Sequence, residues 1–68
     1  MKNILVCSNS KFFEKKIKRK NYYFITNKKK LNLKYLKKIK PYIIFFPHWN
    51  YLIKKNIFNN YNCIGFHS

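Results

Sequence analysis

Two histidines are the residues of this chain best placed to do chemistry: His48 in "FFPHWN" and His67 in the closing "IGFHS". Each comes at the end of an apolar run, where a buried segment meets solvent. In an open α/β sheet, side chains at such strand ends lie on the rim where ligands bind. A metal site fits less well. Two histidines without nearby carboxylates or paired cysteines do not make a usual zinc ligand set, so no metal is expected. Cys7 and Cys63 read as small buried strand residues. If the first and last strands were neighbours, the two thiols would be offset by on the order of 13 Å along the strands, too far for a disulfide. With one glycine, Gly65, the chain cannot build the glycine-rich turn of a P-loop or a dinucleotide site.

The elements that must position these residues alternate. "NILVCS" predicts a strand (β1, 3–8) buried on both faces, because its apolar run is nearly continuous. In "SNSKFFEKKIKRK", Ser8, Asn9 or Ser10 can cap a helix whose Phe13 and Ile17 share a face. The aromatic and β-branched "NYYFIT" predicts a second strand (β2, 21–26). A second helix carries Leu33, Leu36 and Ile39 on one stripe and ends at Pro41. A third strand (β3, 42–46) runs through "YIIFF". After it comes a short helix with Ile53 and Ile57 at i, i+4, and a last strand (β4, 62–66).

Strands joined by short helices imply right-handed crossovers and a mainly parallel sheet, an α/β fold of about four strands. In such sheets ligands bind beyond the carboxyl ends of the strands. The four exits are Ser8-Asn9, Thr26-Asn27, His48-Trp49-Asn50 and His67-Ser68. His48, Trp49, Asn50, Ser8 and Asn9 are therefore the pocket candidates beside His67. Strand exits are polar in any protein, and Trp49 is equally suited to packing against the start of the third helix.

Sixteen Lys plus Arg against one acid, Glu14, give a formal net charge of +15. Such a balance suggests a polyanion partner. Yet all but Arg19 of the basic residues are lysine, and Lys, Asn, Ile, Tyr and Phe together are what an A/T-rich genome encodes. Genome composition and a selected basic surface both account for the charge. Aromatic residues at 21% exclude a disordered basic tail. The longest apolar run is far shorter than the roughly 20 residues of a membrane-spanning helix, and no secretory cleavage site follows the start. A cytoplasmic protein is expected.

The segment "IIFFPHWNYLIKKNIFNNYNCIGFHS", with "NILVCSNSKFF" and "KKIKPYIIFF" before it, resembles the amino-terminal domain of the formyltransferase family. The resemblance is to a subgroup in which a strand runs into Phe-Pro-His-Trp and the next strand ends in Phe-His. It implies a Rossmann-like, three-layer fold. It also implies transfer of a formyl group from 10-formyltetrahydrofolate to an amine, on methionyl-tRNA or an amino sugar nucleotide. The family's catalytic histidine maps onto His67, where it would polarise the formyl oxygen. The family's asparagine two residues earlier maps onto Gly65, which has no amide to donate. The family's aspartate and its Leu-Pro…Arg-Gly loop have no counterpart up to Ser68. Residues 1–68 are thus expected to form a single incomplete βαβαβαβ domain, inactive alone, with too few helices to cover both sheet faces.

A second class of function also follows from the sequence. Lys28, Lys29, Lys30, Lys34, Lys37 and Lys38 make a dense basic region, and with the aromatic residues they would suit a small nucleic-acid-binding protein.

Overall fold

The computed structural model describes residues 2–65. In it the chain runs β1 (Ile4–Cys7), α1 (Phe12–Lys16), β2 (Tyr22–Ile25), a 3-10 turn (Lys28–Lys30), α2 (Leu33–Ile39), β3 (Ile43–Phe45), α3 (Lys55–Phe58) and β4 (Cys63–Ile64). The strands form one sheet in the order β2-β1-β3-β4, every pair parallel. This is the α/β fold expected from the alternation, with each strand shorter at its ends. β1 and β4 are not neighbours, because β3 lies between them. That places Cys7 and Cys63 two strand spacings apart, roughly 10 Å before any offset along the strands, and both thiols are free.

The strand alternation sorts side chains onto two faces. Leu5, Cys7, Ile25, Ile44 and Phe46 join Leu36 and Ile39 of α2 and Ile57 of α3 in the main core. The register aligns Val6 with Phe24 and Phe45, and Phe45 with Ile64, on the opposite face. There Phe13 of α1 and Ile17, the extended residue just after it, line an apolar groove of about 330 Å³, with Phe45 and Ile64 left exposed. Helices therefore lie on both faces, but α1 has five residues and no buried one, so its layer is thin.

Helix boundaries depend on local capping. The Ser10 hydroxyl accepts from the Phe12 N–H, and the Ser8 hydroxyl from the Ser10 N–H, so the chain turns twice before α1 begins. Asn32 caps α2 by accepting from the Tyr35 N–H at 2.9 Å. At its other end Lys40 takes a left-handed conformation, φ 48°, and its N–H returns to the Leu36 carbonyl just before Pro41. The third helix is a single turn starting at Lys55, so Ile53 reaches the core from the extended segment ahead of it rather than from a helical stripe. Other asparagines join elements end to end: the Asn3 amide donates to the Ile39 carbonyl, Asn21 to Lys2, and Asn62 to Tyr42. Among the described residues no helix is long and apolar enough to cross a membrane.

Candidate functional site

The carboxyl ends of β1 and β3 are adjacent in the sheet. From them the chain departs toward opposite faces, to α1 after β1 and to α3 after β3, so a crevice between the two loops is the natural ligand position in this topology. Two hydrogen bonds from one residue tie the loops together. The Asn9 N–H donates to the His48 carbonyl at 3.2 Å, and the Asn9 side-chain oxygen accepts from the Asn50 N–H at 2.8 Å. Asn9 thus brackets His48 on both sides.

His48 itself is left-handed, with φ 54°. Histidine tolerates this region better than most residues, yet the conformation costs on the order of 1 kcal/mol and persists only where surroundings hold it. The Asn9 bracket provides that hold. The exposed imidazole stacks on Phe13, ring centroids 6.3 Å apart and planes 29° from parallel. Ser10, Phe12, Phe13 and His48 bound an open cleft of about 350 Å³ on the α1 side of the sheet.

Trp49 turns the other way. It is 8% exposed in the main core, where it packs edge-on against Phe46, and its outer edge meets the exposed Tyr51 ring. Neighbouring residues of one loop therefore serve opposite faces of the sheet: His48 toward α1, Trp49 toward α2 and α3. Ser8 is buried, its N–H bonded to the Ile25 carbonyl, and Asn50 is exposed. Of the pocket candidates, Asn9, His48 and Asn50 are brought together by direct hydrogen bonds. His67 lies outside the described residues. Gly65 has φ 79°, and a Cβ built there would approach no atom closer than the Phe46 backbone at 3.9 Å. Backbone conformation, rather than crowding, is what favours glycine at that position.

Phe13 is the site residue the sequence did not single out for a ring partner. Its signal was present, as the first apolar residue of α1 on the face shared with Ile17, but nothing local specified that His48 would meet it. The lysines at 28, 29, 30, 34, 37 and 38 are all exposed along the 3-10 turn and α2.

Removing the Asn9 side chain should loosen this edge. In an Asn9→Ala variant the Asn50 N–H loses its acceptor, and stability is expected to fall by about 1 kcal/mol. In ¹⁵N spectra the largest shifts should fall at residues 48–50. Perturbation spread evenly over the sheet would contradict the bracket.

The two thiols contribute electrostatics without contributing chemistry. Burial, and then the Cys63 thiol, pushes the Cys7 pKa well above its ordinary value, and burial raises that of Cys63. Raised values keep both thiols protonated and poor as nucleophiles. Cys7 ionises in the unfolded chain from about pH 8.5 upward but stays protonated in the folded one. Its stabilising contribution is therefore complete below that pH and declines above it, by at most about 1.4 kcal/mol per pH unit. Thermal melts from pH 7.5 to 9.5 should show a smaller alkaline loss for Cys7→Ala than for the parent. Equal slopes would refute the assignment.

Among the described residues no group of three or more His, Cys, Asp or Glu could hold a metal ion. No family model matches the chain, and no curated protein does. Among solved structures, the chain is similar to methionyl-tRNA formyltransferase from Clostridium thermocellum, with 37% identity and a TM-score of 0.76. The match covers 93% of this chain and 31% of that enzyme, so the chain spans about a third of its relative's length.

Proposed function

We propose that this chain, which belongs to the formyltransferase family, contributes the carboxyl edge of its sheet to a site that moves a formyl group from 10-formyltetrahydrofolate to an amine. The observation that carries this reading is 37% identity with a methionyl-tRNA formyltransferase across nearly the whole chain. A shared fold alone does not require that much shared sequence. Methionyl-tRNA is the first acceptor to test, with an amino sugar nucleotide second. The same reading places the protein in the cytoplasm.

The cleft at His48 suits one part of the donor. Phe12 and Phe13 offer aromatic surface, His48 and Ser10 offer polar edges, and about 350 Å³ is in the range of small-ligand sites. A flat pteridine ring fits that combination of walls. When bound, 10-formyltetrahydrofolate supplies the activated formyl group. The chain's own residues bind and orient. Asn9 holds His48 in its left-handed conformation, and the imidazole, stacked on Phe13, presents its edge to the cleft. His67 is assigned the catalytic role, donating a hydrogen bond to the formyl oxygen as negative charge develops there. With Gly65 in the asparagine position of the family pattern, a second donor must come from elsewhere.

Formylation of methionyl-tRNA by the natural gene product that carries this chain tests the reading. Loss of one oxyanion donor in His67→Ala should lower kcat by about 100-fold or more, with little change in the KM for the donor. His48→Ala should instead raise that KM. Activity within threefold of the parent in His67→Ala would remove the catalytic assignment. Absence of both folate binding and formyl transfer would remove the family's activity from this protein.

A further inference from the structure

A second cavity, of about 400 Å³, lies on the α2 and α3 side of the sheet, away from His48. Lys28 and Lys29 of the 3-10 turn and Lys54 ahead of α3 line it, together with Trp49, Tyr51 and Leu31. Its charge is unbalanced. The chain's one acid, Glu14, is on α1, which packs on the other face, so no carboxylate of these residues faces the three ammonium groups. Lys28 Nζ sits 5.1 Å from the centre of the Tyr51 ring, bringing a cation to the aromatic wall.

The second observation is independent of the lysines. The Trp49 indole N–H is buried and has no hydrogen-bond partner among the described residues. A buried donor left unpaired is costly, and native structures rarely keep one without a reason. Trp49 forms part of this cavity's wall and is 8% exposed. Tyr51, packed edge-on against it, is partly exposed and can move without opening the core.

We propose that this cavity binds a small molecule consisting of a flat ring and a single phosphate, of the nucleoside monophosphate class. The phosphate lies among Lys28, Lys29 and Lys54, where charge-assisted hydrogen bonds replace mutual repulsion. The ring lies against Tyr51. A displacement of Tyr51 opens the Trp49 N–H to an acceptor on the ring. The site is separate from the His48 cleft, and the proposal stands or falls without any formyl donor.

The chain has a single tryptophan, so one indole cross-peak and one fluorophore report on the cavity. Titration with adenosine monophosphate should quench Trp49 emission saturably, with Kd below about 1 mM, and shift the indole N–H resonance downfield. Adenosine, lacking the phosphate, should bind at least about tenfold more weakly. A Lys28→Gln/Lys54→Gln variant should weaken monophosphate binding by about tenfold or more. Lys18→Gln/Lys20→Gln, which removes the same charge from the exposed segment between α1 and β2, should leave binding unchanged. Equal weakening by both double variants would show general charge attraction and overturn the site. So would equal binding of adenosine, an indole resonance that does not move, or binding of long RNA alone.

Discussion

Replacing Phe46 with alanine is expected to leave the protein largely unfolded at 25 °C. Phe46 follows β3 directly, is 1% exposed, and packs edge-on against Trp49 at the centre of the carboxyl edge. Phe→Ala in a core costs about 3–5 kcal/mol, through lost transfer energy and the cavity left behind. A chain of this size has only about 3–10 kcal/mol of stability to lose. The neighbouring residue is the internal control. Phe45 points to the opposite face, where it is 37% exposed in the groove beside α1, so Phe45→Ala should cost much less, about 1 kcal/mol. Urea titrations of the two variants distinguish them directly. An unfolding free energy for Phe46→Ala within about 1 kcal/mol of the parent's would mean that the carboxyl edge is not a packed core.

Raising the salt concentration should stabilise the fold by several kcal/mol. Sixteen cations and one anion occupy a molecule whose extents are 30 × 25 × 19 Å. Roughly a hundred like-charged pairs at about 20 Å each cost ~0.2 kcal/mol in unscreened water. Unfolding spreads the same charges apart, so repulsion favours the unfolded chain. At 0.01 M salt the screening length of about 30 Å reaches across the whole molecule, and at 0.15 M it falls to about 8 Å, shorter than most of the separations. Most of the repulsive difference is then removed. Since 1 kcal/mol shifts the melting temperature of so small a domain by about 4–8 °C, the melting temperature should rise by at least about 10 °C between these conditions. A change of under about 2 °C would show that these lysines are too well solvated to oppose folding.

Both expectations bear on what the composition means. The lysine and asparagine content fits an A/T-rich genome, yet the two residue types have different fates in the fold. The lysines remain on the surface as a standing repulsion. Many of the asparagines become structural: Asn27 and Asn32 cap turns, Asn3, Asn21 and Asn62 join elements, and Asn9 brackets the candidate site. An asparagine side chain carries both a donor and an acceptor on a short stem, so it can satisfy whichever backbone group an element leaves open. Composition shows that asparagine is abundant. Only the folded backbone shows which groups need it.

The same division runs through the whole molecule. Sequence alone determined the strands and their parallel pairing, because "ILVC", "YYFI" and "YIIF" are continuous apolar runs separated by spans that are long enough only for short crossovers. It also placed His48 at a strand exit and carried the family resemblance in Phe-Pro-His-Trp. These are local properties, written in hydrophobic period and chain length. Tertiary structure alone decided that β3 separates β1 from β4, that Asn9 reaches across to His48 and Asn50, and that His48 and Trp49 face opposite sides of the sheet. The physical reason is that each of these depends on groups brought together across the sheet, and a one-residue alternation at the strand exit sends adjacent side chains to different faces. No local signal encodes which partner waits on either face.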